Sequence, residues 1–229
     1  EIPDSHLFIS VVGAYRNEEE NIGMLLDDLS GQNYPANRFE IILVNDHSDD
    51  RSPEMIENYK SGCKVKIISL SLTDELSGKK DAINHGIESS KGKYILTTDA
   101  DCRVAENWIY SFVSFIHLKG SPKLIIGLVD FNASSGFISG LQNLEFLSLI
   151  ASGAGAAGIG KPVYCNGANL MIDRDAYLST KDPLKMNITS GDDTFLLHNI
   201  KRLHPKETCI IKSAAALVKT NPAANLNEF

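Results

Sequence analysis

The feature that most constrains this chain is the alternation of strand-like and helix-like patterns through its first half. Short apolar runs favour buried strands, and apolar positions spaced three or four apart favour helices between them. The expected strands are residues 7–14, 39–44, 65–70, 94–98 and 124–129, and the expected helices are residues 21–29, 53–59, 79–89 and 108–118. Such alternation with short links predicts an α/β fold, with a mostly parallel sheet flanked by helices.

The second half of the chain is less regular. Residues 137–151 form an apolar helix pattern, and the Gly/Ala-rich residues 152–160 are predicted to be a flexible loop. A strand at 168–172, a polar turn at 190–193 and a helix at 194–202 follow. No repeat or linker divides the sequence, so residues 1–229 are expected to form a single domain.

Charge and cysteine content exclude several classes of protein. The formal net charge of −7 argues against a nucleic-acid-binding protein, because a phosphate backbone requires a basic face. Cys63, Cys102, Cys165 and Cys209 show no CxxC spacing, so we expect buried free thiols in a reducing compartment rather than a zinc or redox motif. We see no signal peptide and no apolar run of membrane-spanning length, and we interpret both ends as boundaries within a longer protein.

Polar side chains cluster where the predicted strands end. The clusters are residues 15–18, 45–50 and 99–101. In open α/β sheets, ligands bind outside the carboxyl ends of the strands. The sequence therefore predicts a ligand site that these three segments share.

Asp99 and Asp101 are the most informative pair in these clusters. They follow the apolar run 94–96, and strand alternation would place both carboxylates on the same side of the backbone. Carboxylates this close repel each other unless a cation lies beside them, and a hard divalent cation bound to phosphate oxygens would serve. The alternative is that Asp101 caps a helix beginning near Ala105.

Asp46 and Lys79 each allow two interpretations. Asp46 could accept hydrogen bonds from a base or ribose, or could serve only in a turn. Lys79 begins a predicted helix, where a cation would suit a diphosphate, but Lys79 and Lys80 could equally be solvated surface residues.

Two further motifs lie in the second half. Asp192 and Asp193 open a predicted helix, so one could be its N-cap and the other a general base. Gly153, Gly155 and Gly158 match the dinucleotide-binding string GxGxxG, but a helical pattern precedes them. That motif must follow a strand and open a helix, so we reject it.

The motifs, taken in order, resemble the family-2 glycosyltransferases of the GT-A fold, with the membrane-associated polysaccharide-synthase branch most similar. The resemblance runs from about Ile9 to Phe229, through the segments VVGAYRNEE, VNDHSDD, GKKDAINHG, TDAD, NGANLMIDR and GDDTFLL. It implies a Rossmann-like GT-A fold, with a nucleotide-sugar-binding half at 1–101 and a more irregular acceptor-side half at 102–229.

The resemblance also implies a role for individual residues. The implied nucleotide-sugar contacts are Ala14 (where the family usually has proline), Tyr15, Asn17, Glu18, Asp46, Lys79 and Asp99. Asp101, with Asp99 beside it, matches the family's ligands for Mn²⁺ or Mg²⁺. Asn166, Gly167 and Asn169 match the acceptor-side stretch. Asp193 falls on the catalytic-base position, and Asp192 replaces a glutamate, which leaves open which of the two acts.

The activity implied is inverting transfer of a sugar from a nucleoside-diphosphate sugar, with UDP the expected nucleotide, to a saccharide or lipid-linked acceptor. An alternative is a non-catalytic nucleotide-sugar-binding module of a larger membrane synthase. A nucleotidyltransferase is disfavoured, because residues 16–20 lack the glycines of its usual loop after the first strand.

The synthase branch carries a QxxRW motif beyond a segment like residues 216–229, and this chain ends before that point. Membrane-spanning segments are expected outside this chain. The full-length protein is then expected at the cytoplasmic face of a membrane, and this fragment by itself is expected to be soluble. Residues 137–149 are then either an amphipathic element near the membrane or acceptor channel, or a plain core helix.

Overall fold

A computed structural model describes residues 7–132, 137–180, 182–184 and 192–221. Its strands are β1 (Ile9–Tyr15), β2 (Phe39–Asn45), β3 (Lys66–Ser71), β4 (Tyr94–Asp99), β5 (Arg103–Val104), β6 (Leu124–Ile126), β7 (Val129–Phe131), β8 (Leu170–Asp173), β9 (Thr208–Ile210) and β10 (Val218–Thr220). Its α-helices are α1 (Ile22–Ser30), α2 (Ser52–Lys60), α3 (Lys79–Ser89), α4 (Trp108–Lys119), α5 (Phe137–Gly158), α6 (Arg174–Leu178) and α7 (Asp192–Leu203). Short 3₁₀ turns lie at Ala36–Arg38, Gly167–Asn169 and Ala214–Ala216.

The larger sheet has the strand order β3-β2-β1-β4-β8-β6-β9. Strands β3, β2, β1 and β4 are parallel, β8 is antiparallel to both of its neighbours, and β9 is parallel to β6. The α/β class with a mostly parallel sheet is therefore confirmed. The register pairs Ala14 with Asp99 and Tyr15 with Asn45, so three strands end at the same edge.

Helices cover both faces of this sheet. Helices α1, α2 and α4 contribute buried apolar side chains to one face, and α3, α6 and α7 to the other. Helix α1, for example, turns Ile22, Leu25, Leu26 and Leu29 inward, which is the spacing predicted from the sequence. The two cores hold the strands rigidly, so the loops at their carboxyl ends have fixed starting points.

The single strand predicted over 124–129 is wrong, because the structure has two strands in different sheets. Strand β6 belongs to the larger sheet, whereas β7 lies in a three-stranded sheet of order β5-β10-β7. Between them, the backbone N–H of Gly127 donates to the carbonyl oxygen of Asn169, and a Cβ on Gly127 would collide with the Asn169 side chain. The chain thus leaves the larger sheet where only glycine fits.

The flexible loop predicted over 152–160 is also wrong. Helix α5 continues through the Gly/Ala-rich stretch to Gly158, because its alanines favour helix and its glycines allow close packing. A Cβ on Gly153 would lie 3.2 Å from the Tyr164 ring. After the helix ends at Gly158, Gly160 has a φ of +75°, which suits glycine, and Lys161 N donates to Ala156 O at 2.8 Å.

The exposure of α5 is uneven along its length. Leu144 and Leu147 are 65% and 61% exposed, while Phe146 stacks on Phe131 with ring centroids 4.2 Å apart. Helix α5 is therefore not the wholly buried core helix of the simpler interpretation, and membrane contact stays a prediction. Within the described residues, no helix has the length and hydropathy needed to cross a membrane.

The packing of α3 on the sheet gives a test of the fold. A Cβ on Gly86 would lie 2.6 Å from Val12 Cγ1 and 3.1 Å from Val44 Cγ2, so Gly86→Ala should lower the free energy of unfolding by about 1–3 kcal/mol. Gly155 in α5 is exposed and has open space around its Cβ position. Gly155→Ala should raise stability by up to about 1 kcal/mol. Urea denaturation of both variants checks this, and equal effects would contradict the close packing of α3.

Candidate active site

A cleft of about 280 Å³ lies at the carboxyl ends of β1, β2 and β4. The residues that line it are Ala14, Tyr15, Arg16, Glu18, Asp46, Lys79, Asp99, Ala100 and Asp101. Every predicted nucleotide-sugar or metal residue except Asn17 is among them. Arg16 and Ala100 lie within the clusters predicted at 15–18 and 99–101, although the sequence analysis gives neither of them an individual role. The site thus combines residues from four separate segments.

Asn17 holds the loop after β1 rather than lining the cleft. Its φ is +55°, its N–H donates to Ser48 Oγ at 3.0 Å, and its Oδ1 accepts from Asp49 N at 2.9 Å. The next residues continue this ladder: Glu18 N donates to Ser52 Oγ, and Glu19 N to Asp50 Oδ2, both at 2.9 Å. The loops after β1 and β2 are therefore fastened together, which fixes one wall of the cleft.

Asp46 is held by its neighbours in an ionised state. Its Oδ1 accepts from Gly78 N at 3.0 Å and lies 3.1 Å from His47 Nδ1, and its Oδ2 is 4.0 Å from Arg16. Burial raises the pKa of Asp46, but the Gly78 hydrogen bond, His47 and the Arg16 charge together lower it by more. The carboxylate is therefore available as a hydrogen-bond acceptor in the cleft.

Lys79 and Asp99 form an ion pair across the cleft. The Nζ atom of Lys79 lies 2.6 Å and 2.7 Å from the two carboxylate oxygens of Asp99. Desolvation lowers the pKa of Lys79, but the charge and hydrogen bond of Asp99, and the charge of Asp193, raise it by more. The side chain of Lys79 is half exposed, as the solvated-surface alternative expects, but its amine is paired with Asp99, so a positive charge stands beside the first aspartate.

Asp99 and Asp101 come together by a turn. Strand β4 ends at Asp99, and Cys102 N donates to Asp99 O at 3.2 Å. The prediction that strand alternation extends to Asp101 is therefore wrong. The N-cap alternative for Asp101 also fails, because α4 begins at Trp108 with Asn107 in the cap position.

These residues fit a hard divalent cation. Ligand atoms of Asp99, Asp101 and Cys102 all lie within 4.8 Å of one another. Burial, together with the charges of Asp99 and Asp101, raises the pKa of Cys102 to about 12, which disfavours the thiolate form that binds metals. The carboxylate oxygens that remain are the donors that Mg²⁺ and Mn²⁺ prefer.

The pKa of Glu18 responds to burial and to the negative charge of the cleft. Its pKa is raised by burial and by the charges of Asp101, Asp99 and Asp50, although a hydrogen bond from Asn21 opposes this. A nearby positive ligand would relieve that repulsion. The electrostatics of the cleft therefore favour a cation, or a cation that accompanies an anionic ligand.

Asp193 stands at the other end of the site, on α7. Its Oδ2 accepts from Gly167 N at 2.7 Å, and a Cβ on Gly167 would collide with its carboxylate. Gly167 O in turn accepts a hydrogen bond from Thr97, two residues before Asp99 on β4. Gly167 thus links Asp193 to the sheet. Asp192 begins α7, and its side chain lies outside the described residues, as do residues 190 and 191 of the predicted turn at 190–193.

The two asparagines of the predicted acceptor stretch have different surroundings. Asn166 Oδ1 accepts from Ala168 N at 2.9 Å, which caps the short turn that carries Gly167. Asn169 is fully buried: its Oδ1 accepts from Trp108 Nε1, and its Nδ2 donates to the carbonyl oxygens of Leu128 and Ala216. The structure therefore places Asn169 in the interior, where its amide joins four segments and has no surface to offer an acceptor.

Comparison with known families agrees with this arrangement. The model of the family described as "Glycosyl transferase family 2" matches residues 10–177. That range contains the cleft residues and the Gly167 turn.

A similar relative is the glycosyltransferase AglE of Haloferax volcanii, which is 27% identical over 186 residues, covering 81% of this chain and 59% of that protein. Similar solved structures include the mannosyltransferase PcManGT of Pyrobaculum calidifontis in complex with GDP-Man and Mn²⁺ (TM-score 0.73, 16% identity, 97% of this chain and 59% of that chain). Another is S. aureus TarS 1-349 in complex with UDP-GlcNAc (TM-score 0.69, 16% identity, 97% and 60%). At this identity the two structures establish the shared fold. The chain spans 59% of the length of AglE and about three fifths of each of the two solved chains.

Two buried cysteines lie next to site residues, Cys102 beside Asp101 and Cys165 against Asp193, and their reactivity tests how closed the structure is there. Cys102 and Cys165 are buried, and burial raises the pKa of both thiols. Iodoacetamide applied to the native chain should label the partly exposed Cys63 first and leave Cys102 and Cys165 unmodified until urea unfolds the chain. Peptide mass spectrometry reads out each site, and native labelling of Cys102 would show that the turn around Asp101 is open.

Proposed function

This chain belongs to glycosyl transferase family 2, and from that premise we propose that it transfers a sugar from a nucleoside-diphosphate sugar to an acceptor hydroxyl. One observation carries the proposal. A single cleft gathers an ionised acceptor (Asp46), a fixed cation (Lys79) and a carboxylate pair (Asp99 and Asp101), and Asp193 stands close enough for its charge to act on Lys79. The nucleobase of the donor needs a hydrogen-bond acceptor, its diphosphate needs a positive charge and a metal site, and the hydroxyl that receives the sugar needs a general base.

The donor is proposed to be a UDP-sugar. Asp46 would accept a hydrogen bond from an N–H of the base, since its lowered pKa keeps it ionised. The neighbouring structures hold UDP-GlcNAc in one protein and GDP-Man in another, which supports a nucleotide sugar in this fold and leaves uracil and guanine to be compared directly. Tyr15, Arg16 and Glu18 form the adjoining wall.

The diphosphate would lie between Lys79 and the aspartate pair. Asp101 would hold Mg²⁺ or Mn²⁺, with Asp99 beside it; when bound, the cation would neutralise charge that develops on the departing nucleotide. Lys79 supplies positive charge from the start of α3, on the same side.

Asp193 is proposed to be the general base. Its carboxylate would remove the proton of the acceptor hydroxyl as that oxygen forms a bond to the anomeric carbon. The bond from the anomeric carbon to the diphosphate oxygen breaks at the opposite face, and the nucleoside diphosphate leaves with that electron pair. Attack from the opposite face inverts the configuration of the sugar. The hydrogen bond from Gly167 N fixes the carboxylate for this task.

The acceptor is proposed to be a saccharide or a lipid-linked saccharide, at the cytoplasmic face of a membrane that segments outside this chain would reach. The exposed leucines of α5 are consistent with a nearby apolar surface. Asn166 and Gly167 would lie on the acceptor side, next to Asp193.

The metal role is tested with Asp101→Asn. Calorimetry should show that wild-type chain binds UDP more tightly with Mn²⁺ than without it, and that Asp101→Asn loses at least about tenfold of this gain, since even outer-shell changes commonly cost that much. Asp175→Asn is the matched control, because Asp175 is exposed and pairs with Lys93 far along β4 from the cleft. Mn²⁺-independent binding in the wild-type chain would contradict the metal role.

The base role is tested with Asp193→Asn. The amide keeps an oxygen for Gly167 N but cannot take the proton, so donor binding should persist while transfer falls by about 10²–10⁴-fold. Gly167→Ala should also lower transfer, because its Cβ displaces the carboxylate. Donor binding is measured by calorimetry, and transfer is measured with the same protein. Transfer at the wild-type rate in Asp193→Asn would assign the proton to another group.

A further inference from the structure

Asp101 receives a hydrogen bond from a residue far along the chain. Thr220, at the end of β10, donates from Oγ1 to Asp101 Oδ2 at 2.8 Å across a separation of 119 residues. Thr220 lies outside the range 10–177 that the family model matches. The contact therefore joins the carboxylate pair to a segment that the family match leaves unassigned.

The backbone of β10 fixes Thr220 from both sides. On one side β10 pairs antiparallel with β5, where Lys219 lies opposite Arg103, two residues after Asp101. On the other side it pairs parallel with β7, and Asn132 N donates to Thr220 O at 2.8 Å. A β-branched side chain in such a strand has few rotamers. The hydroxyl is thus presented to Asp101 from a rigid support.

The two aspartates differ in what holds them. Lys79 contacts both oxygens of Asp99, whereas among the described residues no ion pair involves Asp101. The Thr220 hydroxyl occupies one lone pair of Oδ2 and leaves the charge of Asp101 uncompensated. A ligand to a metal ion is commonly oriented in this way by a neutral or acidic group behind it.

We propose that Thr220 is a positioning residue that orients the carboxylate of Asp101 for the divalent cation. This inference rests on the proposed function. The hydroxyl restricts Asp101 to one rotamer, so its carboxylate already has the orientation that cation binding requires. Strand β10 thereby becomes part of the donor site, although it lies in the smaller sheet.

The test compares Thr220→Val with Thr220→Ser. Valine keeps the shape and β-branching but removes the hydroxyl, and serine keeps the hydroxyl. Electron paramagnetic resonance of free Mn²⁺ gives the Mn²⁺ dissociation constant of the 229-residue chain in the presence of UDP. Thr220→Val should raise this constant about 10–100-fold, and Thr220→Ser should stay within about threefold of wild type.

Thr208→Val is the matched control, because the Thr208 hydroxyl on β9 is buried and has no hydrogen-bond partner among the described residues. It should leave the Mn²⁺ dissociation constant unchanged. UDP binding without metal and the melting temperature should be similar in all variants, and Thr220→Ala replaces Thr220→Val if valine prevents folding.

The outcomes separate this inference from the proposal on which it rests. If wild type binds Mn²⁺ and Thr220→Val binds it equally well, the role of Thr220 is overturned and the metal site stands. If valine and serine weaken binding equally, the side chain acts through shape and the hydroxyl role is overturned. If wild type shows no Mn²⁺ binding that Asp101→Asn reduces, the metal site and the role of Thr220 fail together.

Discussion

The crowding of carboxylates at one edge of the sheet is the constraint on which the site depends. Glu18, Asp46, Asp99 and Asp101 line the same small cleft. Two like charges about 4 Å apart repel by roughly 4 kcal/mol at an effective dielectric constant near 20, which is a large fraction of a domain's stability. Burial, and after it the charges of Asp101, Asp99 and Asp50, raise the pKa of Glu18. All four carboxylates accept a hydrogen bond: Glu18 from Asn21, Asp46 from Gly78 N, Asp99 from Lys79 and Asp101 from Thr220.

Those partners are mostly side chains, and they come from several segments that the fold brings together. The register that pairs Ala14 with Asp99 and Tyr15 with Asn45 places three loops side by side, and α3 adds a fourth segment. Three residues at this edge have positive φ: Asn17, His47 and Gly78. Non-glycine residues rarely adopt that conformation, so Asn17 and His47 persist there because surrounding hydrogen bonds hold them. The cleft is therefore shaped before any ligand arrives.

Local patterns predicted the elements that carry the site, and long-range contacts explain the errors. Helix α3 begins and ends at the predicted residues, because its apolar spacing and Gly78 are visible in the sequence. The break after Ile126 depends on Asn169, which fills the space that a side chain at position 127 would need. In α5 the alanines that favour helix are visible in the sequence, but the close approach of Tyr164 to Gly153 is a contact between segments. No local pattern records such contacts.

The same limit applies within the site. Asp46, Lys79, Asp99 and Asp101 were found because each lies at the end of a strand or the start of a helix, where a motif is readable. Asn169 has the same motif signal but is buried, because its amide completes hydrogen bonds that only the folded chain presents. A motif thus identifies polar residues near a site, and burial decides which of them face it.

The two aspartates of the site are unequal because of their neighbours, and this bears on how a metal would bind. Asp99 and Asp101 bring two negative charges and Lys79 one positive charge, so the three together carry one negative charge. That is little attraction for a divalent cation alone, but a diphosphate adds negative charge on the far side of the ion. Mg²⁺ sites commonly combine one or two carboxylates with substrate phosphates in this way. The charge balance therefore favours capture of cation and diphosphate as one unit, with Asp101 as the protein ligand and Lys79 on the phosphate.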